Sequence, residues 1–132
     1  MRTIKQTVEF KAQPHEVFEA LMDSRKHSEF TGQEAVISRE VGGKFTAYDG
    51  YIHGKNIKIE PDKLIVQEWW ANDWPEGAVS KATFKITKTK AGSRLALSQT
   101  GVPDEQAEEI ERGWEEFYWE PMRGMLEKTG KP

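Results

Sequence analysis

The stretch DEQAEEIERGWEEFYWEPMRGM, residues 104–125, changes the hydrophobic period of the chain. Apolar residues recur there at Ala107, Ile110, Trp114, Phe117, Tyr118, Pro121 and Met125, a spacing that puts them on one stripe of an α-helix. Asp104 follows Pro103 and suits the N-cap, where a short side-chain oxygen accepts from the free N–H groups of the first turn. Pro121 has no N–H to offer the Phe117 carbonyl, so a kink or break is expected there. A long helix closes the chain, with one apolar stripe to bury.

The residues before it carry period two. In residues 3–10, Ile4, Val8 and Phe10 share a face opposite Lys5 and Glu9, the pattern of a half-buried strand. Residues 13–21 then place Pro14 at a first helical position, with Val17, Phe18 and Leu21 at helical spacing, and Asp23 or Ser24 caps a second short helix ending near Gly32. After Gly42-Gly43, a strand over residues 44–48 meets Asp49-Gly50, which tolerates the positive φ of a tight hairpin, and the next strand runs through Ile59. Pro61-Asp62 turns the chain into residues 64–70, Trp74-Pro75-Glu76-Gly77 turns it into 80–87, and a turn before Arg94 leads to 95–99. Six or seven antiparallel strands result, with two short helices after the first. Such a sheet and the long helix bury their apolar faces together only if the sheet curves around the helix, an α+β, helix-grip arrangement.

The chain has 132 residues, 36% of them apolar, the scale of one domain spanning 1–132 with one core. Nineteen basic against 22 acidic residues leave a net charge of −3, so no long-range field draws nucleic acid or an anionic membrane. The absence of cysteine removes disulfides, thiol catalysis and thiolate metal sites. Residues 1–10 lack the apolar core of a signal peptide and no later run approaches transmembrane length, so a soluble cytoplasmic protein is expected.

The succession Gly42-Gly43-Lys44-Phe45, Asp49-Gly50, Gly54, Pro61, Ile65-Val66, Trp69, Trp74-Pro75-Glu76-Gly77, Ser80, Thr83, Gly101-Val102-Pro103, Gly113-Trp114 and Tyr118 resembles the C-terminal domain of the activator of the Hsp90 ATPase. That family lies within the START-like, polyketide-cyclase-like superfamily, and the resemblance runs over nearly the whole chain. It implies a helix-grip fold with a cavity between sheet and helix, and an Hsp90-type chaperone as partner in a co-chaperone or stress-response role. It does not fix activity, because similar folds include lipid carriers, aromatic cyclases and pollen-allergen-like ligand binders. In the two-domain eukaryotic activators a separate N-terminal domain precedes this one and makes much of the stimulating contact; here the first residues already form strand one.

Residues 69–77, WWANDWPEG, hold three of the five tryptophans. Strand alternation sends Trp69 and Trp70 to opposite faces, and the resemblance places its tryptophan at Trp69, inward and near Trp114. Trp70 and Trp74 are then expected to be partly exposed, Trp74 either as a turn plug on Pro75 or as a partner's anchor. With Pro75, Glu76 and Trp119, which falls at the edge of the helical stripe, they form a candidate partner surface. Strand faces bring Phe45, Tyr51, Ile57, Trp69, Phe84 and Leu97 inward to meet Trp114, Phe117 and Tyr118, with Tyr51, His53 and Gln67 as polar tips. These residues either line a cavity for a neutral apolar ligand or fill a dry core.

Only His53 of the three histidines is expected inward; His15 and His27 are read as surface residues. No nucleophile or acid partner stands at a readable distance from His53, and no metal or phosphate-loop motif occurs, so a protein without catalytic residues, cofactor or metal is expected, cyclase-like catalysis being the weakest reading. Glu60, and the acids of the long helix from Asp104 to Glu120, read as solvated, several of them favoured by the helix dipole. Two functions from different classes follow: a protein-interaction module, or a carrier or sensor of a small hydrophobic ligand.

Overall fold

The computed structural model describes residues 1–129. In chain order these form β1 (Arg2–Phe10), α1 (Pro14–Met22), α2 (Ser24–Thr31), β2 (Val36–Ile37), β3 (Lys44–Ala47), β4 (Ile52–Glu60), β5 (Leu64–Ala71), β6 (Ser80–Lys88), β7 (Ser93–Val102), α3 (Asp104–Gly113), a π-helical segment (Trp114–Trp119) and α4 (Glu120–Thr129). The strands make one antiparallel sheet in the order β1-β7-β6-β5-β4-β3-β2. The two-residue β2 is the seventh strand. Asp23 caps α2 by accepting from the Lys26 N–H at 2.9 Å, and Gly32 ends it in the left-handed region at φ 74°, a conformation that costs glycine least. The inner sheet face, with Ile4, Val8, Phe10, Ile65, Trp69, Phe84, Leu95 and Leu97, shares one core with Trp114, Tyr118, Trp119, Met122 and Leu126 of the C-terminal helix. This is the helix-grip fold.

The C-terminal helix departs from the expected stripe. Pro103, not Asp104, occupies the N-cap, and no side chain caps it. From Trp114 the backbone widens, so that the Glu120 N–H bonds the Glu115 carbonyl five residues back. A π turn takes in one extra residue and rotates everything after it. Trp119, expected at the edge of the stripe, is therefore 1% exposed, while Phe117 turns outward to 50%. The Trp119 indole stacks on Trp114 at 5.4 Å between ring centroids and donates from Nε1 to Gln6 Oε1 at 2.6 Å. The helix does not end at Pro121, which lies within α4. The Phe117 carbonyl, left by Pro121 without its α-helical donor, accepts from the Tyr48 hydroxyl at 3.4 Å.

β4 departs in phase. Ile52, Gly54 and Asn56 face inward and Ile57 is 42% exposed, so Tyr51, His53 and Ile57 are not on the inner face as expected. The turn produces this: it extends through Tyr51, with Tyr48, Asp49 and Gly50 all at positive φ, and β4 starts with Ile52 inward. The register slip between Asn56 and Lys58, a β-bulge, then changes the phase and brings Ile59 against the core. Gly54 is required inside because the Phe45 ring crosses it: a Cβ there would stand 2.2 Å from that ring and from the Glu68 carbonyl oxygen. Asn56 is fully buried and satisfied. Its Nδ2 donates to the carbonyls of Ser38 and Glu40 at 2.7 and 3.1 Å, and its Oδ1 accepts from Gln67 Nε2 at 3.0 Å.

Candidate functional site

A groove of about 260 Å³ opens where the turn after β3 meets the C-terminal helix, lined by Tyr48, Tyr51, Ile52, Trp69, Glu109, Ile110, Gly113, Trp114, Phe117 and Tyr118. Local structure explains it. Gly113 leaves a gap in the helix surface, the π segment swings Phe117 out beside it, and the positive-φ turn holds Tyr48 edge-on to Phe117 at 5.9 Å. Deeper in, between sheet and helix, only about 20 Å³ is left among Leu21, His27, Phe45, Gln67, Phe84 and their neighbours, room for roughly one water. Of the two interior readings, the filled core describes Phe45, Gln67, Phe84 and Leu97, none of which lines the groove.

Tyr51, Trp69, Trp114, Phe117 and Tyr118 are the expected lining residues that come together at the groove. Tyr48, Ile52, Glu109, Ile110 and Gly113 were not foreseen. Part of the signal was available, since Glu109, Gly113 and Phe117 stand at i, i+4 spacing on one helical row. The other part was not, because Tyr48 lies at a strand end whose side-chain direction depends on the turn.

The polar groups around the groove are committed. Tyr51 donates to Asp73 Oδ1 at 2.6 Å, and burial followed by that bond holds its hydroxyl well above the usual phenol range. Burial, with the charge of Glu116, pushes Tyr48 up to about 12. His27, expected at the surface, is buried. Its Nδ1 meets the Leu21 carbonyl at 3.2 Å, and because a carbonyl only accepts, Nδ1 carries the proton and Nε2 accepts from the Tyr118 hydroxyl at 3.0 Å. Burial pulls His27 down to about 4 against the opposing pull of the Leu21 bond, and burial raises Tyr118. Both stay neutral at ordinary pH and tie α2 to the π segment. His53 lies on the outer sheet face, stacked on Trp70 at 5.9 Å with Nε2 2.7 Å from Asn72 Oδ1. His15 is exposed beside Asp62 at 2.9 Å.

The candidate partner surface changes membership. Trp74 is buried rather than partly exposed, because the Trp74 N–H bonds the Ala71 carbonyl at 3.1 Å and this turn folds the indole back onto Trp69. Trp119 is lost to the core, as above. Trp70, Pro75 and Glu76 remain accessible and border a shallow hollow of about 450 Å³ with Asn72, Gly77 and Val79. Among the described residues no group of three His, Asp or Glu side chains converges to hold a metal ion, and no helix is long and apolar enough to cross a membrane.

A seven-stranded sheet gripping a C-terminal helix defines a START-like, helix-grip domain. The chain belongs to the family described as Activator of Hsp90 ATPase homolog 1-like protein, whose model matches residues 11–127. It is 32% identical over 114 residues to the activator of 90 kDa heat shock protein ATPase homolog of Dictyostelium discoideum, a match covering 86% of this chain and 30% of that protein. The human homolog 1 is 28% identical over 121 residues, covering 92% of this chain and 35% of its own length. The chain thus spans about a third of the curated relatives it matches. The crystal structure of an HSP90 activator from Plasmodium falciparum superposes with a TM-score of 0.90 at 24% identity, covering 96% of each chain.

Proposed function

We propose that the chain is a non-enzymatic, cytoplasmic co-chaperone module that binds an Hsp90-type chaperone. The family match over residues 11–127 carries this reading. The packing supports it: among the described residues the space between sheet and helix around His27, Phe45 and Phe84 is about 20 Å³, His27 and Tyr118 are neutral and bonded to each other, and accessible apolar surface collects outside, at Trp70, Pro75 and Val79. The outer hollow bordered by Trp70 and Glu76 is the proposed contact. Calorimetric titration of the purified chain into purified Hsp90, with ATP turnover followed in parallel, tests the reading. Saturable binding with a changed turnover rate is expected; no heat of binding at a chain concentration of roughly 100 μM, about the range of a −5 to −6 kcal/mol interaction, would remove it.

A second reading is favoured by the rim groove. At about 260 Å³ it falls just below the ordinary range of ligand pockets, roughly 300–1,000 Å³, and its walls are mostly apolar. A carrier or sensor of a small ligand would use it.

A further inference from the structure

We propose that the rim groove binds a small organic cation, an amine or quaternary ammonium joined to an apolar body. The inference rests on the ligand-binding reading of the same groove and adds the ligand's charge.

Tyr48 donates to the Phe117 carbonyl, Tyr51 to Asp73, Tyr118 to His27, and the Trp114 indole N–H to Gln99 Oε1 at 2.8 Å. Each of these donors is already engaged by an acceptor within the protein. A carboxylate, phosphate or carbonyl compound entering it would lose water and find none of those hydrogens in return, a net cost. What these residues do present is ring surface. Tyr48, Tyr51, Trp114 and Phe117 offer faces and edges around one volume, and an aromatic face attracts a cation through its quadrupole.

The charges point the same way. Among the described residues Glu109 is the one charged side chain in the lining, and no lysine or arginine is among them. Burial raises both phenols most; the charge of Glu116 adds to it at Tyr48, and the Asp73 bond with the charges of Asp73 and Glu109 adds to it at Tyr51. A neutral hydrocarbon would use the rings alone. A cation with an apolar body uses the rings and the carboxylate together.

The test uses benzyltrimethylammonium and its uncharged carbon isostere, neopentylbenzene, titrated separately into the chain while the indole and ring resonances of Trp69, Trp114 and Phe117 are followed by NMR. The cation is expected to bind roughly tenfold tighter than the isostere, the scale of a partly desolvated cation–π contact. Glu109→Gln keeps the shape and removes the charge, so it should weaken the cation roughly threefold and leave the isostere unchanged. Gly113→Leu fills the groove; a Cβ there meets only the Phe117 ring at 3.7 Å, on a helical backbone, so the variant should fold and lose both ligands. If the isostere binds as tightly as the cation, the charge inference is overturned and the ligand-binding reading stands. If neither moves the groove resonances, or if Gly113→Leu binds both as before, the inference and that reading fall together.

Discussion

The indole of Trp74 stands 5.5 Å from that of Trp69, centroid to centroid, and tilted 54° to it. A ring so placed is part of the core and more than a plug on Pro75. Trp74→Ala should therefore cost roughly 3 kcal/mol, a buried aromatic lost with a cavity left behind, as measured by urea unfolding. Trp74 Nε1 has no hydrogen-bond partner among the described residues, so Trp74→Phe removes an unsatisfied donor along with part of the ring and should cost about half as much. A loss below about 1 kcal/mol for the alanine variant would show that the Trp69 contact contributes little.

His27 makes stability depend on pH. Its ordinary value is 6.5 and the folded protein lowers it to about 4, so between those values the unfolded chain takes up a proton that the folded one does not. Stability is fully present above pH 6.5 and falls as pH drops towards 4. At about 1.4 kcal/mol per pH unit the loss amounts to roughly 3 kcal/mol. His27→Gln cannot titrate, and the difference between wild-type and variant unfolding free energies should shrink across that window as pH falls. A difference that stays constant from pH 7 to pH 4 would mean that His27 is not the group responsible.

Gln6 joins β1 to the C-terminal helix with both ends of its amide, donating to the Glu111 carbonyl at 2.7 Å and accepting from Trp119 Nε1 at 2.6 Å. Gln6→Leu keeps the approximate volume and strands the buried indole N–H. The expected cost is about 2 kcal/mol, read from thermal melts. Trp119→Phe combined with Gln6→Leu should cost less than the two single changes added together, because the stranded donor is gone.

Trp70 is half-buried, its ring stacked on His53 and packed against the core cluster without being part of it. Trp70→Ala should cost less stability than Trp74→Ala, and if the outer hollow seats the chaperone it should weaken that association by about 2 kcal/mol once folding is corrected for, the size of an interface hot spot. An unchanged isotherm would move the contact away from residues 70–79.

How much was legible follows from what is local. The alternation of β1, β5 and β6 and the helical stripe from Ala107 to Trp114 could be read directly, because burial on one face leaves a period in the residues themselves. Asp23, Gly32 and Asp49-Gly50 marked caps and turns through conformations that few residue types adopt. Those readings, with the order of elements, were sufficient for the helix-grip fold. The side-chain directions after an irregularity were not legible. The positive-φ turn through Tyr51 set the phase of β4 that leaves His53 and Ile57 out of the interior, and the π turn after Trp114 changed the count by a residue and brought Trp119 into it.

The sequence by itself determined which segments are strands and helices and that they must share one core. Tertiary structure alone decided which of the polar and aromatic residues meet. Phe45 crosses Gly54, His27 reaches Tyr118 across 91 positions and Tyr48 reaches Phe117 across 69. Neither partner of such a pair carries a mark of the other, because the energy that joins them, desolvation and close packing, exists only once the sheet has closed on the helix.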